Sequence, residues 1–309
     1  MGKYYISLTY KCNHSCISCP IDQFQKGVKP IQLNDLIKNI EDAIDLGLIN
    51  PKEDHIELSG GEPTLYPDFL PFLDFLTSVL GMNINILTNS TMFGKESFLN
   101  NFTKSSRGKT RIITAIYSHL PMVHDSITRR TNSFNSTLQG VNNLIANGIP
   151  VGLKTIIQKK NYQGLARLSE FLINNFDENV SFSYHSMDLR GLALDNKNDT
   201  AVELLQMAPY LEEALDIFLD YNRSVKVYSV PLCILDPYYW NFLSAASKST
   251  TKAFSSPELN LHSNLFSDSG TNVEKCKNCA LELICPGVWY SYLNKFGVDE
   301  LVPFSKLEE

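Results

Sequence analysis

Three cysteines, Cys12, Cys16 and Cys19, fall in one short loop directly after an apolar, strand-like run from Tyr4 to Thr9. A strand that ends in three thiols must deliver them to a common place. At CxxxCxxC spacing, three thiolates can hold three irons of a cubane 4Fe-4S cluster and leave the fourth iron open to a ligand. Two other readings fit the same residues: a structural zinc loop with His14 or a remote cysteine as fourth ligand, or buried thiols that pack as small apolar groups.

The run Ile56-Glu57-Leu58-Ser59-Gly60-Gly61-Glu62-Pro63 reads as a second strand followed by a glycine turn and an acidic residue. Two adjacent glycines let backbone approach a ligand closely, so their carbonyls and the Glu62 carboxylate are candidates to meet an ammonium group. A plain strand-to-helix connection is the alternative for the turn alone.

Together, CxxxCxxC after the first strand and Gly-Gly-Glu-Pro after the second resemble the radical S-adenosylmethionine (radical SAM) superfamily. The resemblance implies an α/β fold, a partial (β/α)6 TIM-type barrel, with Cys12, Cys16 and Cys19 on the cluster. It also implies SAM chelating the open iron, its methionine ammonium received by Gly60, Gly61 and Glu62. Members commonly carry an aromatic residue before the third cysteine, where this chain has Ser18. Ile17, Ile156 or Ile157 are the candidates to give adenine its apolar surface instead.

Strand-like and helix-like patterns alternate as a parallel barrel requires. Six strands are expected at 4–9, 55–58, 83–87, 111–117, 151–157 and 180–184, with a further one at 225–230. Helices are expected at 33–46, 69–80, 95–102, 134–146, 165–174 and 200–221. The stretch 241–272, rich in Ser, Thr and Asn, reads as a polar, mobile connector. The expected organisation is a core barrel over 1–222 and a small cluster-bearing extension over 223–309.

Barrel chemistry collects at the C-terminal ends of the strands. There the resemblance gives Asn89 after strand three and Ser118 after strand four contacts with ribose or the methionine carboxylate; each residue is equally readable as a turn or cap. Arg129 and Arg130, in the loop similar to that of peptide-modifying members, are candidates to pair with the SAM carboxylate, or are solvated loop charges. His124 and Asp125 read as loop-stabilising. After strand six, Tyr184, His185, Asp188 and Arg190 form a polar run expected to bind substrate or deliver a proton, against the reading of a capped, solvated loop.

Four further cysteines, Cys233, Cys276, Cys279 and Cys285, lie in the C-terminal part. Four thiolates suit a fully ligated iron-sulfur cluster or an all-cysteine zinc site. Beside a radical SAM core they resemble SPASM or twitch extensions, which bind auxiliary 4Fe-4S clusters. Here the thiols suffice for one such cluster, and the overall likeness is to compact maturases of ribosomally made peptides (RiPPs).

A formal net charge of -6 provides no global basic field for nucleic acid. No signal peptide and no membrane-spanning run is legible, so a cytoplasmic enzyme is expected. The function implied is reductive cleavage of SAM to a 5′-deoxyadenosyl radical that abstracts hydrogen from a substrate. Flavodoxin or ferredoxin would supply the electron. The substrate the resemblance implies is a precursor peptide, to be crosslinked, epimerised, oxidised or given a thioether, with a separate recognition protein as a further partner. A small-molecule dehydrogenase or mutase is the alternative, and a zinc-stabilised interaction protein a distant one.

Overall fold

The computed structural model describes residues 2–21, 27–244 and 272–305, together with the backbone of two short strands at 251–255 and 261–263. Its centre is a run of seven parallel strands in the order β7-β6-β5-β4-β3-β2-β1. They are β1 (Lys3–Thr9), β2 (His55–Gly60), β3 (Ile84–Leu87), β4 (Thr110–Ala115), β5 (Val151–Ile156), β6 (Ser181–His185) and β7 (Val225–Tyr228). Every neighbouring pair is parallel and in consecutive chain order. This is the partial TIM-type barrel expected, with a seventh strand added. Because β7 is hydrogen-bonded to β6, the barrel sheet runs on past residue 222, where the sequence suggested that it ends. On the other edge β8 (Thr251–Ser255) pairs parallel with β1, and β9 (Leu261–Ser263) pairs antiparallel with β8. The rest of the connector expected over 241–272 lies largely outside the described residues.

The helices between the strands are α1 (Leu33–Asp45), α2 (Phe69–Asp74), α3 (Glu96–Ser106), α4 (Pro121–Thr128), α5 (Ser133–Ala146), α6 (Leu165–Asn175), α7 (Leu192–Asp195), α8 (Lys197–Thr200) and α9 (Leu204–Asp220). The helix expected over 69–80 is α2 followed by a π-helical turn, Phe75–Val79. A last helix, α10 (Tyr290–Phe296), belongs to the C-terminal segment.

Successive strand residues point to opposite faces, and the sequence uses this sharply. Tyr4, Ile6 and Leu8 of β1, Ile56 and Leu58 of β2, Val151 and Leu153 of β5, and Phe182 and Tyr184 of β6 are all buried in the main apolar core. Their alternates, Lys3, Tyr5 and Ser7, Glu57 and Ser59, Lys154 and Ile156, and His185, line the barrel interior. One continuous core also takes in Leu232, Ile234, Val288, Tyr292 and Leu301, so the C-terminal segment packs into the barrel rather than standing off it.

The segment after β4 was expected as a loop but contains α4 and the start of α5. Asp125 organises it: its carboxylate accepts from the backbone N–H of Asn132 (2.6 Å) and Phe134 (2.9 Å) and from Ser133 Oγ (2.8 Å). The Asn132 side chain at the N-cap position makes no capping hydrogen bond, and Asp125 caps the helix from the preceding one. Burial opposes ionisation of Asp125, but these hydrogen bonds outweigh it and hold the carboxyl below its ordinary range.

Replacing Asp125 with Ala should cost about 1–2 kcal/mol of stability in urea unfolding, as loss of a helix cap does. The depressed folded-state pKa means that this contribution is present above the unfolded carboxyl pKa and is lost as pH falls through the lower folded value. The variant should therefore lose less stability than the wild type on acidification below about pH 4.

Candidate active site

The cluster loop is fixed from three sides. First, the backbone leaving β2 lies against the backbone leaving β1: Gly61 N donates to Thr9 O (2.6 Å) and Glu62 N to Lys11 O (2.8 Å). A Cβ on Gly60, whose φ is +122°, would stand 2.2 Å from Thr9 O, and one on Gly61 2.4 Å from Lys11 O. Only glycine allows this approach. Second, Ser15 N and Ile17 N donate to Thr128 O (3.0 Å) and Ile127 O (2.9 Å) at the end of α4. Third, Asn196 Nδ2 donates to Ile17 O (3.2 Å), and Gly191 sits where a Cβ would be 2.4 Å from Pro20 O.

Glu62 lines the cavity mouth, but most of its carboxylate is already engaged by the protein. Its side chain is 1% exposed. Oε1 accepts from Thr64 N (3.1 Å), Thr64 Oγ1 (2.5 Å) and Thr88 Oγ1 (2.6 Å), and Oε2 from Asn89 N (2.7 Å). Burial pushes its pKa up while these donors pull it down. The carboxylate therefore ties the turn after β2 to the turn after β3, which places Asn89. Asn89 Nδ2 donates to Asn13 Oδ1 (2.6 Å) and lies 4.0 Å from Cys12 Sγ.

Cys12, Cys16, Cys19, Gly60, Gly61, Glu62, Asn89, Ile156, His185, Asp188 and Arg190 all line one cavity of about 1100 Å³ at the C-terminal ends of the strands. Among the described residues no three His, Cys, Asp or Glu side chains converge on a point that would hold a single ion; the thiols border a cavity instead. Burial, with Cys12 and Cys19 adding to it, raises the Cys16 thiol to about 12. Such a thiol becomes a thiolate when a cation binds it, and a set of three soft donors beside a glycine backbone cradle fits an iron-sulfur cluster with an open position.

Four expected site residues stand elsewhere. Tyr184 is on the outer face of β6, 1% exposed, sharing a hydrogen bond with Ser169 Oγ of α6 (2.7 Å) and packing edge-on to Phe218 of α9. It is a core residue, because the strand alternation that brings His185 inward turns Tyr184 outward. Ser118 Oγ accepts from Leu120 N (3.1 Å) just ahead of α4, the cap alternative. Arg129 is an exposed residue at the left-handed end of α4 (φ +50°); its guanidinium donates to Asn196 Oδ1 (2.6 Å), orienting the amide that holds Ile17. Arg130 is also exposed and outside the cavity lining. Neither arginine lines the cavity. Of the three isoleucines offered for adenine, Ile156 lines the cavity, while Ile17 and Ile157 are buried in the core.

His185 is stacked on Tyr228 (4.6 Å between centroids, 15° between planes) and its Nε2 is 3.0 Å from Ser183 Oγ. Burial, then the charges of Lys154 and Lys3, pull it down to about 3, so at neutral pH it is an uncharged hydrogen-bonding ring without a proton to deliver. Asp188 and Arg190 form a two-pronged ion pair, with Arg190 Nε 2.7 Å from Asp188 Oδ2. Asp188 Oδ1 also accepts from Ser291 Oγ (2.8 Å), and Trp289 Nε1 donates to Ser186 O (3.2 Å). The C-terminal segment thus reaches the rim, where Trp289 joins the lining.

Lys154, Glu57, Tyr117 and Trp289 line the cavity although they were not among the expected site residues. The first two carry a legible signal, a charge on the inward alternate of an otherwise apolar strand. Tyr117, just past β4, lines the cavity together with Ser18 and Cys16, so an aromatic ring stands at the cluster loop where residue 18 provides none. Trp289 carries no sequence signal, since its placement depends on the C-terminal packing.

The C-terminal thiols also come together. Cys233, Cys276, Cys279 and Cys285 line a second, small cavity with Leu232, Leu281, Val288, Leu301 and Phe304. Burial raises Cys233 and Cys285, each also repelled by neighbouring thiols of the set.

A partial parallel barrel with three thiols and a glycine cradle at its mouth defines an enzyme class built on a cluster and a small cofactor. The chain belongs to the radical SAM superfamily, which it matches over residues 6–172, and the zinc reading of the first loop falls with that membership. Fe-coproporphyrin III synthase of Methanosarcina barkeri is 24% identical over 230 residues, 74% of this chain and 53% of that protein. Mycofactocin maturase MftC of Mycobacterium tuberculosis is 27% identical over 172 residues, 53% of this chain and 39% of that protein. The chain spans about half the length of the first such relatives. In fold it is similar to Streptococcus suis SuiB bound to precursor peptide SuiA (TM-score 0.67, 16% identity, 95% of this chain and 72% of that one). It is similar also to anSMEcpe with bound AdoMet and Cp18Cys peptide (TM-score 0.68, 13% identity, 94% and 89%).

The glycine contact predicts that Gly61→Ala lowers iron incorporation as well as SAM affinity, because the added methyl group presses on the carbonyls of Tyr10 and Lys11 at the root of the cluster loop. Iron analysis and visible absorption of the reconstituted variant check this; full iron with weakened SAM binding would confine the turn to the cofactor.

Proposed function

We propose that this radical SAM enzyme modifies a ribosomally made peptide and carries a second, fully ligated 4Fe-4S cluster on Cys233, Cys276, Cys279 and Cys285. The observation that carries the reading is that those four thiols line one small cavity in a segment whose core is continuous with the barrel and whose Trp289 lines the main cavity. The fold likeness to two structures holding peptides extends over this segment, at 95% and 94% of the chain.

Cys12, Cys16 and Cys19 would hold the first cluster, and the backbone of Gly60 and Gly61, with Asn89, would seat the methionine end of SAM. Ile156 and Tyr117 offer surface for the adenosyl part. Together, cluster and SAM supply reductive cleavage of the sulfonium and abstraction of a hydrogen atom from substrate. The chain's own residues bind and orient: Asp188 and Arg190 fix the rim, and His185 and Tyr228 present a neutral, hydrogen-bonding wall. Positioning and exclusion of water are the protein's share of such a reaction. A cluster with four thiolates has no open iron and suits electron transfer or bracing. Flavodoxin or ferredoxin as donor and a separate peptide-recognition protein are part of this proposal. Among the described residues no helix is long and apolar enough to cross a membrane.

A small-molecule substrate is the second reading, favoured by the Fe-coproporphyrin III synthase likeness over 74% of the chain. Mass spectrometry of candidate precursor peptides after anaerobic turnover separates the two, a mass change in a peptide supporting the first.

Reconstituted protein should hold about eight irons as two four-iron clusters. Cys12, Cys16 and Cys19→Ala together should leave about half of that iron and no 5′-deoxyadenosine. Changing Cys233, Cys276, Cys279 and Cys285 to Ala should likewise halve the iron, retain some 5′-deoxyadenosine and lose finished product. Full product yield from that second variant would remove any redox role for the C-terminal cluster.

A further inference from the structure

The cavity is deeper than its thiol-lined mouth. At about 1100 Å³ it slightly exceeds the roughly 300–1,000 Å³ common for small-molecule pockets, and its lining continues down the barrel interior. That lower part is charged. Lys3 of β1, Glu57 of β2 and Lys154 of β5 all line it, with His185 of β6 beside them.

These charges do not cancel. Glu57, 6% exposed, is held in an ion pair by Lys3. Among the described residues Lys154 has no carboxylate within ion-pair distance, although it feels Glu57 across the barrel. Its register neighbours are Ala115 on β4 and Ser183 on β6, both small and uncharged, and the Ser183 hydroxyl is 3.0 Å from His185 Nε2. Other charged groups nearby are committed: Asp188 and Arg190 pair with each other at the rim, His185 is neutral, and the Tyr5 hydroxyl donates to Ser59 Oγ (2.5 Å). Burial and the Lys3 charge both push the Lys154 ammonium toward its neutral form, with Glu57 the opposing influence.

An ammonium that lines an open cavity without a carboxylate partner is placed to take an anionic ligand. We infer that Lys154 is the anchor of a substrate carboxylate: the floor of the cavity binds an anionic carboxyl group of the molecule whose hydrogen is abstracted higher up. Lys154 gives the charge-assisted hydrogen bond, the His185 ring stands beside it as a neutral wall, and the Lys3–Glu57 pair closes the floor. This rests on the radical SAM reading of the cavity and holds whether the carboxylate is a peptide C-terminus or an acidic side chain.

The test uses the full chain, reconstituted anaerobically and supplied with SAM, in equilibrium dialysis against three probes. They are acetyl-alanyl-glycyl-alanine with a free carboxylate, the same tripeptide amidated, and amidated acetyl-alanyl-glutamyl-alanine. One or both acids should bind about tenfold more tightly than the neutral amide, the scale of one charge-assisted hydrogen bond. Lys154→Met should abolish that preference and Lys154→Arg restore it. Glu57→Gln should strengthen it by removing the competing carboxylate, a gain that a purely structural Lys154 would not produce. Which acid binds identifies the source of the carboxylate. No preference for either acid over the amide, or a preference that survives in Lys154→Met with a normal cluster spectrum, overturns the assignment. Iron content and 5′-deoxyadenosine formation of the wild type in the same preparation report separately on the radical SAM reading.

Discussion

Backbone-to-backbone contact between the exits of β1 and β2 is the constraint on which the site depends. Thr9, Tyr10 and Lys11 must pass within hydrogen-bonding distance of Gly60 and Gly61 before the chain turns into the cysteine loop. Any Cβ at either glycine would collide with a carbonyl that leads to Cys12. Glu62 extends the constraint one strand further: its buried carboxylate joins the turn after β2 to Thr88 and Asn89 after β3. Helix α5 then closes the arrangement from outside, with Thr137 donating to Asn89 O and Gly140 packed where a Cβ would meet Ser90 O at 2.0 Å. The residues next to the cofactor therefore hold one another before any cofactor binds.

The barrel interior divides by chemistry. Around the mouth lie thiols, backbone amides and small polar groups, which suit a cluster and a zwitterionic ligand. The wall near His185 and Tyr228 is aromatic and uncharged at neutral pH. Farther down, Lys3, Glu57 and Lys154 form a charged floor under a site whose chemistry needs no general base for its first step. Lys3 is paired there with Glu57, whereas Lys154 has no carboxylate within ion-pair distance among the described residues, which is why the floor points to substrate recognition.

The C-terminal segment contributes to the same site rather than forming a separate body. Ser291 supports Asp188, Trp289 reaches the rim, and Leu204 N donates to Tyr292 Oη (3.0 Å). Apolar contacts are continuous from the barrel into the lining of the second thiol cavity. A cluster bound there would be mechanically coupled to the rim of the main cavity through residues 285–292.

Taken residue by residue, the sequence alone determined what is local. A cluster loop needs its three thiols close in the chain, a close approach needs glycine, and parallel strands buried on one face announce themselves by alternation; hence Cys12, Cys16, Cys19, Gly60, Gly61 and β1 to β7 were legible. The same alternation, applied to Phe182, Tyr184 and His185, would have set Tyr184 in the core and singled out Lys154. What only tertiary structure decided are the partners of polar side chains. Arg129 serves Asn196, 67 residues on, and Asn196 serves Ile17, 179 residues back; Glu62 spends its acceptors on Thr64, Thr88 and Asn89. A polar group bonds whatever donor or acceptor the fold brings within about 3 Å, and that distance is set by packing of elements far apart in the chain, which no local pattern encodes.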